Sequence, residues 1–300
     1  MNSIYRSTML AALLPVLSLA GCATAPGRPT QPIAPSARYV ALGSSFAAGP
    51  GVTVSADSPA TRCTRSRDNY AHQLARLRQL DLVDVSCGGA TTAHLLGPWK
   101  ELAPQLDALT PDTALVTITI GGNDVSYVGY LFVESCKGAL GRPDLEKLSA
   151  MCKAMTGRPS SAAIPAAPTE AAWTKLAADM DRIAMEVRGR APKARIIFVD
   201  YVTLLPSGAP CPTVPLSAQA MATAQATATR LAQLTADVAK RNGADVLRAS
   251  ALSRGHDACA AQPWSNGFVA RPGVDPFTPY HPNLAGMTAI AAALDRQLGR

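Results

Sequence analysis

Two stretches, Ala114–Ile120 reading ALVTITI and Arg195–Asp200 reading RIIFVD, are almost unbroken runs of apolar or β-branched residues. Strands of that composition have no polar face to turn toward water, so both sides must be covered, as they are in a parallel sheet between helices. Shorter runs at Arg38–Leu42, Leu82–Val85 and Ala244–Leu247 have the same character, and helical patterns separate them. From Ser217 to Asn242 the residues Met221, Ala224, Ala228, Leu231, Leu234 and Val238 recur at three- and four-residue spacing, and Asn242-Gly243 supplies a stop. A last helix is expected from about Asn283 to Leu298, with Asn283 as its N-cap. The alternation predicts an α/β chain: a three-layer α/β/α sandwich around a central, mainly parallel five-stranded sheet.

With 300 residues, 48% hydrophobic and only 16% charged, the chain can bury one substantial core, which excludes a disordered or fibrous class. That core is expected to begin near Arg38. Two segments break the rhythm, Ser135–Thr169 and Ser250–Pro279, and both read as long irregular loops. The net charge of +7 falls by one if residues 1–21, whose only charged side chain is Arg6, are removed. Basic residues cluster only in TRCTRSR, without interleaved aromatics, so nucleic acid is not an expected partner.

The first residues carry Arg6, then the apolar run MLAALLPVLSLA, then Gly-Cys. The run is too short for a membrane span and fits an export signal. Its end, LAGC at Leu19–Cys22, resembles the lipobox of bacterial lipoproteins, which implies cleavage after residue 21 and a lipid on Cys22. An ordinary secretory peptide or an uncleaved anchor is the alternative. Residues 22–37, rich in Pro, Ala and Thr, suit a flexible tether between a lipid and a domain spanning 38–300. The expected location is therefore the bacterial cell envelope, with the protein held at a membrane by the lipid. Seven cysteines make an odd count, and lipidation of Cys22 leaves Cys63, Cys87, Cys136, Cys152, Cys211 and Cys259. Export favours disulfides. Sequential pairing closes the shortest loops and is the expected arrangement. A metal site is the alternative, but the cysteines show no CxxC spacing and no HxxxH occurs, so none is expected.

Working residues of an open parallel sheet sit at the carboxyl ends of its strands. There the chain places Gly43-Ser44-Ser45, SCGGATT with Gly88 and Gly89, GGND at Gly121–Asp124, and YHPN with His281 just before the last helix. A serine nucleophile needs a base for its proton and donors for the oxyanion it creates. Each part is present. His72, in a helical pattern, reads as a surface or packing residue; His94 is placed to line the cleft, and His256, beside Cys259, reads as structural.

The order of these blocks resembles that of the SGNH or GDSL hydrolases, in the secreted esterase and lipase branch with three disulfides. YVALGSSFAAGPG, RCTRSRDNYAHQLA, SCGGATT, PQLDAL, TITIGGNDV and HPNLAGM all carry the likeness, from Arg38 to the C-terminus. The resemblance implies a flavodoxin-like fold and no metal or organic cofactor. It also implies a Ser45 nucleophile, a His281 base, and an oxyanion hole from the Ser45 and Gly89 N–H groups and the Asn123 amide. Two positions depart from the family pattern. Ser44 stands where relatives usually carry aspartate, and Thr278 stands where many carry the acid that orients the histidine. The Thr278 carbonyl is the expected partner of His281, with Asp275 as the alternative.

The expected reaction is hydrolysis of small-molecule or lipid esters by a monomer, through an acyl-enzyme. O-acetylated glycans are a second substrate class. A tethered binding protein that keeps the fold without turnover is the reading from a different class, motivated by Ser44 and the missing acid.

Overall fold

The computed structural model describes residues 32–139, 152, 167–274 and 277–299. The apolar runs form the strands β1 (Arg38–Gly43), β2 (Asp81–Asp84), β3 (Leu115–Thr119), β4 (Arg195–Val199) and β5 (Asp245–Leu247). All neighbours pair in parallel, in the order β2-β1-β3-β4-β5. Every residue of β3 is buried, as a central strand without a polar face requires. The edge strand β2 begins exposed and is nowhere fully buried.

Helices cover the two faces. α2 (Tyr70–Arg78) packs on α8 (Leu284–Leu298), and α5 (Glu170–Arg190) packs on α6 (Ala218–Arg241). Their starts follow ordinary capping chemistry: the side chains of Asn69, Thr169, Ser217 and Asn283 accept first-turn N–H groups of α2, α5, α6 and α8. The remaining helical pieces are α1 (Ser45–Ala48), α3 (Thr92–Leu96), α4 (Tyr127–Ala139) and α7 (Ala249–Leu252).

Sequence and structure part company at Ser135–Ala139. These residues, expected in a loop, close α4, whose Tyr127, Tyr130, Leu131, Ser135, Cys136 and Ala139 are buried. The segment also holds no proline before Pro143. At the front of the domain, Ser36 N–H donates to the Gln79 carbonyl at 2.7 Å and Ile33 packs on the core.

The cysteines pair as Cys63–Cys87, Cys136–Cys152 and Cys211–Cys259. Such covalent closure belongs to an oxidising compartment, so the protein is an exported one. No helix among the described residues is long and apolar enough to cross a membrane. Cys22 and the segment 1–21 lie outside those residues.

Candidate active site

The end of β1 is shaped by Gly43. Its φ of +145° lies where side-chain-bearing residues are rarely found, and a Cβ there would sit 2.4 Å from the Thr119 carbonyl oxygen. The buried side chain of Gln105, from a 3₁₀ turn at Gln105–Ala108, completes the strand end. Its Oε1 accepts the Gly43 N–H at 2.8 Å, and its Nε2 donates to the Gly43 carbonyl at 3.0 Å. A side-chain amide thus acts as one more strand partner.

Beyond Gly43 the chain stays extended through Ser44, whose N–H donates to Thr119 O at 2.9 Å, and then turns into α1 at Ser45. The two serines therefore diverge. Ser44 is buried, 3.4 Å from the Tyr201 hydroxyl. Ser45 opens the helical turn, so its N–H has no acceptor within the helix, and its Oγ lies 2.7 Å from His281 Nε2.

His281 reaches Ser45 from the turn before α8. Asn283 caps that helix through Gly286 N–H, and its own N–H donates to the Trp264 carbonyl at 3.0 Å. The ring is oriented by a carbonyl other than that of Thr278, the partner expected from the sequence. Its Nδ1 bonds Pro279 O at 2.7 Å, whereas the Thr278 carbonyl accepts from Asn266 Nδ2 at 3.1 Å. Asp275 lies outside the described residues. The physical cause is the conformation of Tyr280, whose φ of +54° folds the backbone so that residue 279 faces the ring of residue 281. A left-handed tyrosine costs on the order of 1–2 kcal/mol. The surroundings hold it: Tyr280 is fully buried, its hydroxyl is 2.5 Å from Ser135 Oγ on α4, and its ring packs on Phe132 and Phe268.

A carbonyl can only accept, so Nδ1 carries the proton and Nε2 presents its lone pair to the Ser45 hydroxyl. Burial of the imidazole lowers its pKa from 6.5 to about 4, against the smaller opposing pull of the Pro279 carbonyl. At neutral pH the ring is therefore uncharged and ready to take a proton.

Two loops bring the remaining groups. Gly89 has φ +84°, again a glycine conformation, and a Cβ there would lie 3.3 Å from the Trp99 ring. Gly88 N–H donates to Cys63 O at 2.9 Å beside the Cys63–Cys87 disulfide, which ties this loop to the segment before α2. After β3, Asn123 donates an amide hydrogen to the Ala90 carbonyl at 2.8 Å. Asp124 accepts from both the N–H and the hydroxyl of Thr92, at 3.0 and 2.5 Å. Successive side chains of GGND thus hold the loop that carries Gly89. Burial raises the Asp124 pKa above the ordinary carboxylate value, with the Thr92 hydrogen bonds opposing.

The other histidines have separate places. His72 lies 3.6 Å from the Asp84 carboxylate. His94 caps α3 through the Thr91 N–H and stacks on Trp99 at 4.0 Å, and both rings line a cavity of about 380 Å³ beside the Gly89 loop. His256 stacks on Trp264 at 4.0 Å. Among the described residues, no cluster of three or more His, Cys, Asp or Glu side chains could hold a metal ion. A larger cavity of about 650 Å³ is lined by Tyr127, Tyr201 and residues of α6. Neither cavity is lined by Ser45 or His281, so hydrogen-bond geometry rather than hollow volume locates the chemistry.

Four features had escaped the sequence reading: the Pro279 carbonyl, the Gln105 clamp, Tyr201, and Phe46, whose ring lies 5.0 Å from that of His281. Gln105 lies within the quoted PQLDAL block, which was its only signal.

The chain is similar to known proteins in both sequence and fold. A model of the GDSL-like Lipase/Acylhydrolase family matches residues 41–289. Lipase 2 of Streptomyces coelicolor is 34% identical over 278 residues, covering 90% of this chain and 88% of that protein. The crystal structure of an extracellular lipase from Streptomyces rimosus superposes with a TM-score of 0.63 at 26% identity, covering 86% of this chain and 98% of that one. Phospholipase A1 from Streptomyces albidoflavus NA297 shares the fold, with a TM-score of 0.65 at 22% identity over 87% of this chain and 99% of that one. The chain belongs to the GDSL-like lipase/acylhydrolase family and is a carboxylic ester hydrolase.

Proposed function

We propose that Ser45 is the nucleophile and His281 the general base of this hydrolase, acting as a dyad completed by a main-chain carbonyl. The observation that carries the reading is the 2.7 Å separation of Ser45 Oγ from His281 Nε2, with Nδ1 committed to Pro279. As Oγ attacks the ester carbonyl carbon, its proton passes to Nε2. The carbonyl oxygen becomes an oxyanion facing the Ser45 and Gly89 N–H groups and the second Asn123 amide hydrogen. Collapse breaks the bond to the alcohol, which leaves with the Nε2 proton. Water then enters by the reverse roles: His281 takes its proton, the acyl group leaves Ser45 as a carboxylic acid, and the serine recovers its hydrogen.

Lipid or acyl-glycerol esters are the proposed substrate class, and the names of the relatives as lipases support it. Residues 1–21 as a signal, a lipid on Cys22 and a tether to a monomeric domain at 38–300 belong to the same proposal, resting on LAGC and the composition that follows. A fluorophosphonate probe tests the nucleophile: wild type labels and Ser45→Ala does not. Failure of wild type to label would favour the tethered binding protein. Rates on butyryl, palmitoyl and O-acetyl-glycan esters separate the substrate classes. Cys22→Ala should move the protein from the membrane fraction to the soluble one, and retention at the membrane would overturn the anchor.

A further inference from the structure

Tyr201 stands where three parts of the site meet. It lies two residues beyond β4, its side chain is buried, and its phenolic oxygen accepts the Gly122 N–H at 2.8 Å. The same oxygen is 3.4 Å from Ser44 Oγ, at the end of β1. Its ring packs on Phe46, with centroids 4.5 Å apart, and Phe46 in turn lies 5.0 Å from the His281 ring. Tyr127 meets it edge-on from α4. The contact with Gly122 is close enough to dictate the residue there, because a Cβ would lie 2.8 Å from three atoms of the phenol.

Gly122 immediately precedes Asn123, and β3 ends only at Thr119, so the GGND loop has left the sheet ladder before the amide donor is reached. Beyond the loop's own turn bonds, in which the Gly121 and Gly122 carbonyls accept the Val125 and Tyr127 N–H groups, something outside the ladder must fix its peptide planes. Gly121 and Gly122 cannot do so themselves, since glycine leaves the backbone its widest freedom. The Tyr201 oxygen supplies that restraint from one side, and the Asn123 bond to Ala90 supplies it from the other.

We infer that Tyr201 is a positioning residue for ester hydrolysis: by accepting the Gly122 N–H and backing Phe46, it holds the Asn123 amide and the His281 ring in register with Ser45. The inference rests on the Ser45–His281 reading and adds to it a residue that touches no reacting atom.

Tyr201→Phe is the direct test, because it keeps the ring against Phe46 and removes only the oxygen. With p-nitrophenyl butyrate, kcat is expected to fall about tenfold or more while KM stays within about twofold, as for a misplaced rather than a missing donor. A residue needed only for folding would lower the unfolding midpoint and leave kcat of the folded fraction intact, and that result would overturn the inference. Titration of the active fraction with a fluorophosphonate puts both proteins on one scale. Wild type that neither labels nor hydrolyses would sink the Ser45 reading, whereas an active wild type with unchanged Tyr201→Phe kinetics would sink this inference alone. If the variant does not fold, amide exchange in wild type decides: Gly122 must be protected, and exchange at the rate of an open loop would exclude the bond.

Discussion

The Nδ1–H of His281 donates to the carbonyl of Pro279 at 2.7 Å, so the imidazole proposed as the base is oriented by a main-chain dipole and not by a carboxylate. With Nδ1 occupied, an acid at position 275 has no ring proton left to accept. Asp275→Asn should therefore leave kcat within about twofold of wild type, since no proton transfer passes through it. A loss of several orders of magnitude would show that the acid displaces the carbonyl.

The same imidazole sets the acid limb of activity. Its neutral form is the proposed base, and burial lowers its pKa from 6.5 to about 4. The rise of kcat/KM with pH should accordingly be centred near 4 and be complete at neutral pH, as a pH–rate profile on a soluble ester will show. An inflection close to 6.5 would mean that the ring is far more solvated than its contacts indicate.

Asn123 and Gly89 should fail in different ways. Asn123→Ala removes the proposed oxyanion donor and is expected to lower kcat by about 10²–10³ with the fold retained. Gly89→Ala keeps its N–H but forces a side chain into φ +84° beside Trp99. It should cost on the order of 1–2 kcal/mol in urea unfolding before any kinetic loss is counted.

Gln105→Leu tests the clamp on Gly43. The variant leaves the Gly43 N–H without its acceptor, while the Gly43 carbonyl keeps the Cys87 N–H at 3.0 Å. One stranded buried donor costs about 1–3 kcal/mol, to be read as a lower urea midpoint at unchanged m-value. Because Gly43 leads directly into the two serines, kcat should fall as well.

Two buried groups make stability depend on pH with opposite signs. Burial raises the Asp200 pKa from 3.8 to about 6, against the hydrogen bonds from Ser250. The native state then holds that proton more tightly, and this stabilisation, complete below 3.8, is lost as pH rises through about 6. His281 works in reverse: its pKa is lowered, so stability present above 6.5 is lost as pH falls toward 4. Each contribution is on the order of 3 kcal/mol, and the two largely cancel in wild type. Asp200→Asn removes the first, so the variant should be more stable than wild type at pH 7 and converge on it near pH 4 in urea titrations. Parallel curves for the two proteins would refute the assignment.

Much of the fold was legible because strands and helices are specified locally. ALVTITI could only be a strand covered on both faces, and Asn283 could be read as a cap from the helical pattern after it. The loop expected over Ser135–Thr169 fails at Ser135–Ala139, because these residues share the buried face of a helix, while the glycines and prolines that signal a loop lie mostly beyond residue 140. Sequential cysteine pairing was readable from loop length alone.

The sequence by itself determined which residue types gather at the carboxyl edge of the sheet, since strand ends and motif order are properties of the chain. It singled out Ser45 over Ser44 only through resemblance. Tertiary structure decided how the two differ: one hydroxyl faces His281, the other is buried toward Tyr201. It also decided what orients the His281 ring, because a left-handed Tyr280 depends on a pocket that joins nearby Phe268 to Phe132 and to Ser135, which is 145 residues away. Contacts across such separations leave no local pattern, and a carbonyl partner leaves none at all, since every residue in the chain has one.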